Sequence, residues 1–128
     1  MPSKPAPAPE FDAVFNELRA ILAAWAPRLV VVHDTPDNYS LHTHTIGPSK
    51  RPIYFGGVRR GKAYVSYYLM CVYADGAALL DEMSPALKKH MQGKACFNFK
   101  TVDPVLFREL RQLTKRGYAA WRKMEWVD

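Results

Sequence analysis

Ile53-Tyr54-Phe55-Gly56-Gly57-Val58-Arg59-Arg60-Gly61-Lys62-Ala63-Tyr64-Val65-Ser66-Tyr67-Tyr68-Leu69 is the stretch on which the fold turns. Two runs rich in β-branched and aromatic residues flank Arg59-Arg60-Gly61, and Gly61 can take the left-handed backbone that closes a three-residue hairpin loop. Pairing Val58 with Lys62 sets Phe55 against Val65 and Ile53 against Tyr67. Ile53, Phe55, Ala63, Val65 and Leu69 then make one apolar face, which a slip by one residue would mix with the other. The opposite face carries Tyr54, Gly56, Lys62, Tyr64, Ser66 and Tyr68, with Gly56 across from Tyr64. A glycine there leaves space beside a large ring.

Working outward, Tyr39 to Thr45 alternates Tyr39, Leu41 and Thr43 with Ser40, His42 and His44, the period of a strand buried on one side. A β-branched run, Arg28 to His33, precedes it across the turn-forming Asp34-Thr35-Pro36-Asp37-Asn38. On the far side, Cys71 continues the alternation of Val65, Tyr67 and Leu69 on the apolar side before Asp75-Gly76 breaks the strand. Ala77 to Met83 is short and helix-competent. Ser84-Pro85 is a cap followed by a first-turn proline, so a second short helix runs from Pro85 to Met91 and ends near Gly93. Ala95 to Lys100 reads as a strand, with Ala95, Phe97 and Phe99 on one side and Cys96, Asn98 and Lys100 on the other.

Helices close both ends. Phe11, Val14, Phe15, Leu18, Ile21, Leu22 and Trp25 recur at three and four residues, the spacing of an amphipathic helix, until Pro27 limits it. Asp103-Pro104 repeats the cap-plus-proline logic ahead of Leu106, Phe107, Leu110, Leu113, Tyr118 and Trp121. Gly117 weakens that helix by about 1 kcal/mol relative to alanine. Residues 1–9 hold Pro2, Pro5, Pro7 and Pro9 among small residues and read as a flexible proline-rich leader. Residues 10–128 then form a single α+β domain: a mostly antiparallel sheet with N- and C-terminal helices packed on one face.

A chain of 128 residues suits one domain, and 48% apolar with 23% charged residues argues against both wholesale disorder and a membrane protein. No run approaches the ~20 apolar residues of a bilayer span, and the proline-rich start has no signal-peptide core. The expectation is a cytoplasmic protein with no membrane partner, in which Cys71 and Cys96 are free thiols. A net charge of +6 favours anionic partners. Arg108, Arg111, Lys115 and Arg122 fall along one stripe of the last helix, either a solvated face or a nucleic-acid footprint.

The polar side of the sheet is where a ligand would sit. Tyr54, Tyr64 and Tyr68 offer rings for stacking, Ser66 and Asn98 hydrogen bonds, and Lys62 with Lys94 or Lys100 a positive charge. His42, His44 and Cys96 complete the candidate set. Such a face is also what an antiparallel sheet ordinarily turns to water. His42 and His44 are the metal candidates, because residues two apart on a strand point the same way, but two ligands fall short of a site. No Gly-rich phosphate loop or nucleophile elbow occurs, so no cofactor is implied and no catalytic residue is assigned.

Tyr54-Phe55-Gly56-Gly57-Val58, Ala63 to Met70, and Ser84-Pro85-Ala86-Leu87-Lys88-Lys89 through Gly93 to Lys100 resemble the YdhG-like small domains of unknown function, over roughly residues 50–120. The resemblance implies an α+β fold and no settled activity. Some relatives are described as frataxin-like iron chaperones, which implies metal handling as one alternative. Iron handling of that kind uses a clustered acidic surface, whereas the first helix offers only Glu10, Asp12 and Glu17 and the whole chain is basic. The expected function is therefore a small binding module for a small or anionic ligand on the tyrosine-rich face, with an enzymatic role left open. Nucleic-acid binding through the basic last helix is the other alternative.

Overall fold

A computed structural model of the chain describes residues 8–47, 50–74, 77–93 and 95–127. Its frame is a six-stranded sheet in the order β1-β2-β3-β4-β6-β5. The strands are β1 (Val30–Thr35), β2 (Asn38–Ile46), β3 (Pro52–Arg60), β4 (Val65–Leu69), β5 (Met91–Gln92) and β6 (Cys96–Phe99). Every neighbouring pair is antiparallel. Helices α1 (Ala8–Ala23) and α5 (Pro104–Lys123) cover one face, with three short helices, α2 (Met70–Ala74), α3 (Ala77–Glu82) and α4 (Pro85–Lys88), between β4 and β5. This is the α+β arrangement expected, with both terminal helices on the same side of the sheet.

The hairpin register differs from the expected one. Val58 pairs with Tyr67, Gly56 with Leu69 and Arg60 with Val65, leaving 61–64 as a loop closed by Gly61 N–H donating to the Tyr64 carbonyl at 2.9 Å. The displacement is odd, so it turns the upper half of β3 over. Val58 and Gly56 face the helices, Gly57 and Arg59 face away, and Lys62 and Ala63 are exposed in the loop. A bulge reconciles the two halves: Leu41 pairs with Gly56 but His42 with Tyr54, so Phe55 is the extra residue. Phe55 and Gly56 therefore both lie on the helix side, and Tyr54 returns to the open side. The physical reason is burial. This register puts Val58 among Tyr39 and Tyr67, whereas the expected register set it across from Lys62 on the open side. Gly56 thus faces α1 instead of Tyr64, and a Cβ there would sit 2.6 Å from the Tyr68 carbonyl oxygen and 3.4 Å from Leu22.

Smaller departures have local causes. The expected leader reached residue 9, whereas α1 begins at Ala8, and residues 1–7 lie outside the described residues, as does the expected Asp75-Gly76 break. The strand ends at Leu69, so Cys71 belongs to α2 and is buried there. The helix expected over Pro85 to Met91 stops at Lys88. Gly93, with φ of +77°, then turns the chain between β5 and β6, and Met91–Gln92 pairs with Cys96–Phe97.

The caps read from sequence are in place. Ser84 Oγ accepts from Leu87 N–H at 3.1 Å while donating to Glu109 Oε1 of α5 at 2.6 Å, which ties α4 to the closing helix. Asp103 accepts from Leu106 N–H at 3.0 Å. Loss of either cap costs about 1 kcal/mol. Between sheet and helices, Phe55 meets Tyr118 and Trp121 edge-on. The fully buried Tyr67 donates its hydroxyl to Thr114 Oγ1 at 2.6 Å, and Thr114 donates onward to the Leu110 carbonyl at 2.8 Å. Gly117 has a packing purpose: a Cβ there would collide with Cys71 Sγ, so glycine is what lets α5 close on α2.

Candidate functional site

The uncovered face is organised in cross-strand rows. Strand register aligns Asn38, Arg59, Ser66 and Asn98 in one row, and His33, Ser40, Gly57, Tyr68, Cys96 and Gln92 in the next. His42 and Tyr54 pair at the start of a third. Gly57 is the floor of this arrangement. A Cβ there would run into the Tyr54 hydroxyl and lie 2.8 Å from the Tyr39 carbonyl oxygen, so only a residue without a side chain lets the Tyr54 ring lean inward.

Over that floor lies a solvent-open concavity of about 310 Å³. Its functional walls are His33, His42, Tyr54, Arg59 and Tyr68, with Asn38 and Ser40 between them. His33 Nδ1 and Ser40 Oγ are hydrogen-bonded at 2.8 Å. The His42 and Tyr54 rings meet edge to face, 5.5 Å between centroids. Burial, and then the neighbouring His33, hold the His42 imidazole below its ordinary value. Burial pushes the Tyr54 phenol well up, with Tyr68 and Cys96 adding to it, and burial raises Tyr68 in the same way. Arg59 supplies the permanent charge. The site therefore presents phenol donors, imidazoles and one guanidinium, and no carboxylate lines it among the described residues.

Beside the concavity, past Tyr68, a second polar group is already mutually satisfied. Ser66 Oγ donates to Asn98 Oδ1 at 2.7 Å, and Cys96 Sγ donates to the same oxygen at 3.3 Å. Asn98 Nδ2 donates to Gln92 Oε1 at 2.6 Å, and the Tyr64 hydroxyl reaches that oxygen at 3.3 Å. Burial raises the Cys96 thiol, more than its contacts with Ser66 and Tyr68 offset. It is held as a hydrogen-bond donor instead of a thiolate nucleophile.

The candidate residues thus separate. Tyr54, Tyr68 and His42 come together in the concavity; Ser66, Cys96 and Asn98 adjoin it; Tyr64 stands apart from the other two tyrosines, bonded to Gln92. Lys62 is exposed in the β3–β4 loop and Lys100 is exposed past β6, while Lys94 lies outside the described residues. His44 is exposed beyond a register irregularity between His42 and Ile46 and does not line the concavity. Among the described residues no group of three or more His, Cys, Asp or Glu is arranged to hold a metal ion.

His33, Asn38 and Arg59 are residues that strand alternation alone did not bring in, and Ser40, which alternation set beside His42, was given no role. The signal for His33 and Asn38 was present. A two-residue turn at Pro36-Asp37 pairs Thr35 with Asn38, and counting back from it sets His33 against Ser40. Arg59 was hidden by the expected register, which set it in the hairpin loop. No protein-family model matches the chain, and no curated protein or solved structure matches it either. Among the described residues, no helix is long and apolar enough to cross a membrane.

Proposed function

We propose that this chain is a binding module that holds a small anionic molecule carrying a planar ring in the concavity over Gly57. One observation carries the reading: Arg59 and the His33–His42 pair converge on the same hollow as the rings of Tyr54 and Tyr68. The guanidinium attracts the anionic group, and the His33 and His42 imidazoles add ring nitrogens for hydrogen bonding. The phenols hydrogen-bond through Oη and stack through their faces. With the one nearby thiol held neutral and no lining carboxylate among the described residues, the arrangement favours binding over catalysis. Kinship with the YdhG-like domains and a cytoplasmic location belong to this proposal, the first as regards fold alone.

The test is a titration of the isotope-labelled full chain with phenyl phosphate and, separately, benzoate, followed by NMR. Resonances of His42, Arg59 and Tyr68 should shift together. Arg59→Gln should weaken phenyl phosphate about tenfold or more, the scale of a charged hydrogen bond. Tyr68→Ala should weaken both probes. Shifts confined to other surfaces, or unchanged affinity in both folded variants, would reject the assignment.

A further inference from the structure

A second concave surface lies on the helical side, remote in character from the first. Trp25, two residues past the end of α1, stacks on Tyr118 of α5 with centroids 4.6 Å apart and planes 21° apart. The Arg28 guanidinium stands 5.9 Å from the Trp25 centroid and 6.0 Å from that of Tyr118. Two hollows, of about 520 Å³ and about 220 Å³, meet here and share Trp25, Arg28 and Lys115. Arg122 and Lys123 line the first and Arg111 the second. Five cations and a half-buried indole therefore edge one continuous groove, and no acidic side chain lines it among the described residues. None of the five is in an ion pair among the described residues, in contrast to Arg116, which is 2.7 Å from Glu82.

We infer that this groove binds single-stranded nucleic acid, with the phosphodiester backbone along Arg111, Lys115 and Arg122 and an unstacked base against Trp25. Charge complementarity selects a polyanion. From Arg111 to Arg122 the helix rises roughly 16 Å at 1.5 Å per residue, enough for several consecutive phosphates. The recessed indole selects the kind of polyanion, since a flat apolar ring among cations matches a nucleobase flanked by phosphates, and a base paired inside a duplex cannot reach it. An acidic peptide meets the charge without using the ring.

The probe is an oligothymidylate of about twelve nucleotides, within the span of known single-strand sites, read by fluorescence anisotropy on the full chain. Log affinity should fall against log salt with a slope of about −3, the value for four to five phosphate contacts on a single strand. Lys115→Glu with Arg122→Glu should lower affinity at least tenfold and flatten the slope by about 1.4. Trp25→Ala should lose roughly tenfold with the slope unchanged, because stacking releases no counterions. Circular dichroism melts check that each variant folds, and Lys115 and Arg122 are exposed, so the charge pair reports even where Trp25→Ala does not fold. Lys88→Glu with Lys89→Glu makes the same change of net charge on exposed residues at α4 and should leave affinity within about threefold. Absence of binding at low salt, equal loss in the two charge-reversed pairs, or polyglutamate of equal charge binding as tightly would each overturn the assignment.

Discussion

Tyr67 and Tyr68 are neighbours in sequence and belong to different worlds. Tyr67 is fully buried under α5 with its hydroxyl bonded to Thr114, whereas Tyr68 points out of the sheet into a concavity with His42 and Arg59. The backbone treats them alike, because alternate residues of a strand point to opposite faces. The difference lies in what each face must do. The covered face minimises free volume, and the Tyr67 and Thr114 hydroxyls on it are bonded internally. The open face gathers hydrogen-bonding groups around a glycine floor and leaves the centre unfilled.

The largest way to break that comparison is to truncate each tyrosine in turn. Tyr67→Ala should cost about 3–5 kcal/mol, the range for deleting a fully buried aromatic side chain. Tyr68→Ala should cost about 1 kcal/mol, nearer the range of surface changes. Urea denaturation of both variants measures the contrast, and near-equal losses would mean that the two faces are not packed differently. Next in size is the close approach of α5 to α2. Gly117→Ala gains helix propensity but drives a methyl group into Cys71 Sγ, and overpacking of a tight core costs about 1–3 kcal/mol. Net destabilisation is expected, and Cys71→Ala in the same chain should recover part of it. A Gly117→Ala protein more stable than the parent would show that the helix moves freely on the sheet.

The smallest effect sharpens the open face. His42 is held below the ordinary imidazole value of about 6.5, so the unfolded chain binds its proton more readily than the folded one does. Its contribution to stability is therefore complete above that value and declines as pH falls through it. Urea midpoints measured from neutral to mildly acidic pH should show a shallow fall that His42→Gln flattens. Phenyl phosphate should reduce the fall, because an anion beside His42 favours its protonated form.

Much of this was legible from residues. Helical spacing located α1 and α5, cap-plus-proline pairs located the starts of α4 and α5, and alternation put Ser66, Tyr68, Cys96 and Asn98 on one face. Alternation also put Tyr54 on the open side, although through a register that β3 does not adopt. Gly57 was assigned to no site because a single-residue bulge at Phe55 reverses the side chains beyond it, and Arg59 because the expected register set it in the hairpin loop. His33 escaped for another reason: β1 shows no clean alternation of burial, since all its residues are exposed at the sheet edge.

What the sequence by itself determined is the local record: which segments pack as helices, which alternate as strands, where caps begin a helix, and the excess of positive charge. Each follows from interactions spanning a few residues, so each can be read from a short window. Only the tertiary structure decided the register of β3, the glycine that floors the concavity, and the meeting of Trp25 with α5. Those depend on burying Val58, Phe55 and Tyr118 together, and the free energy of burial belongs to surfaces that come from distant parts of the chain.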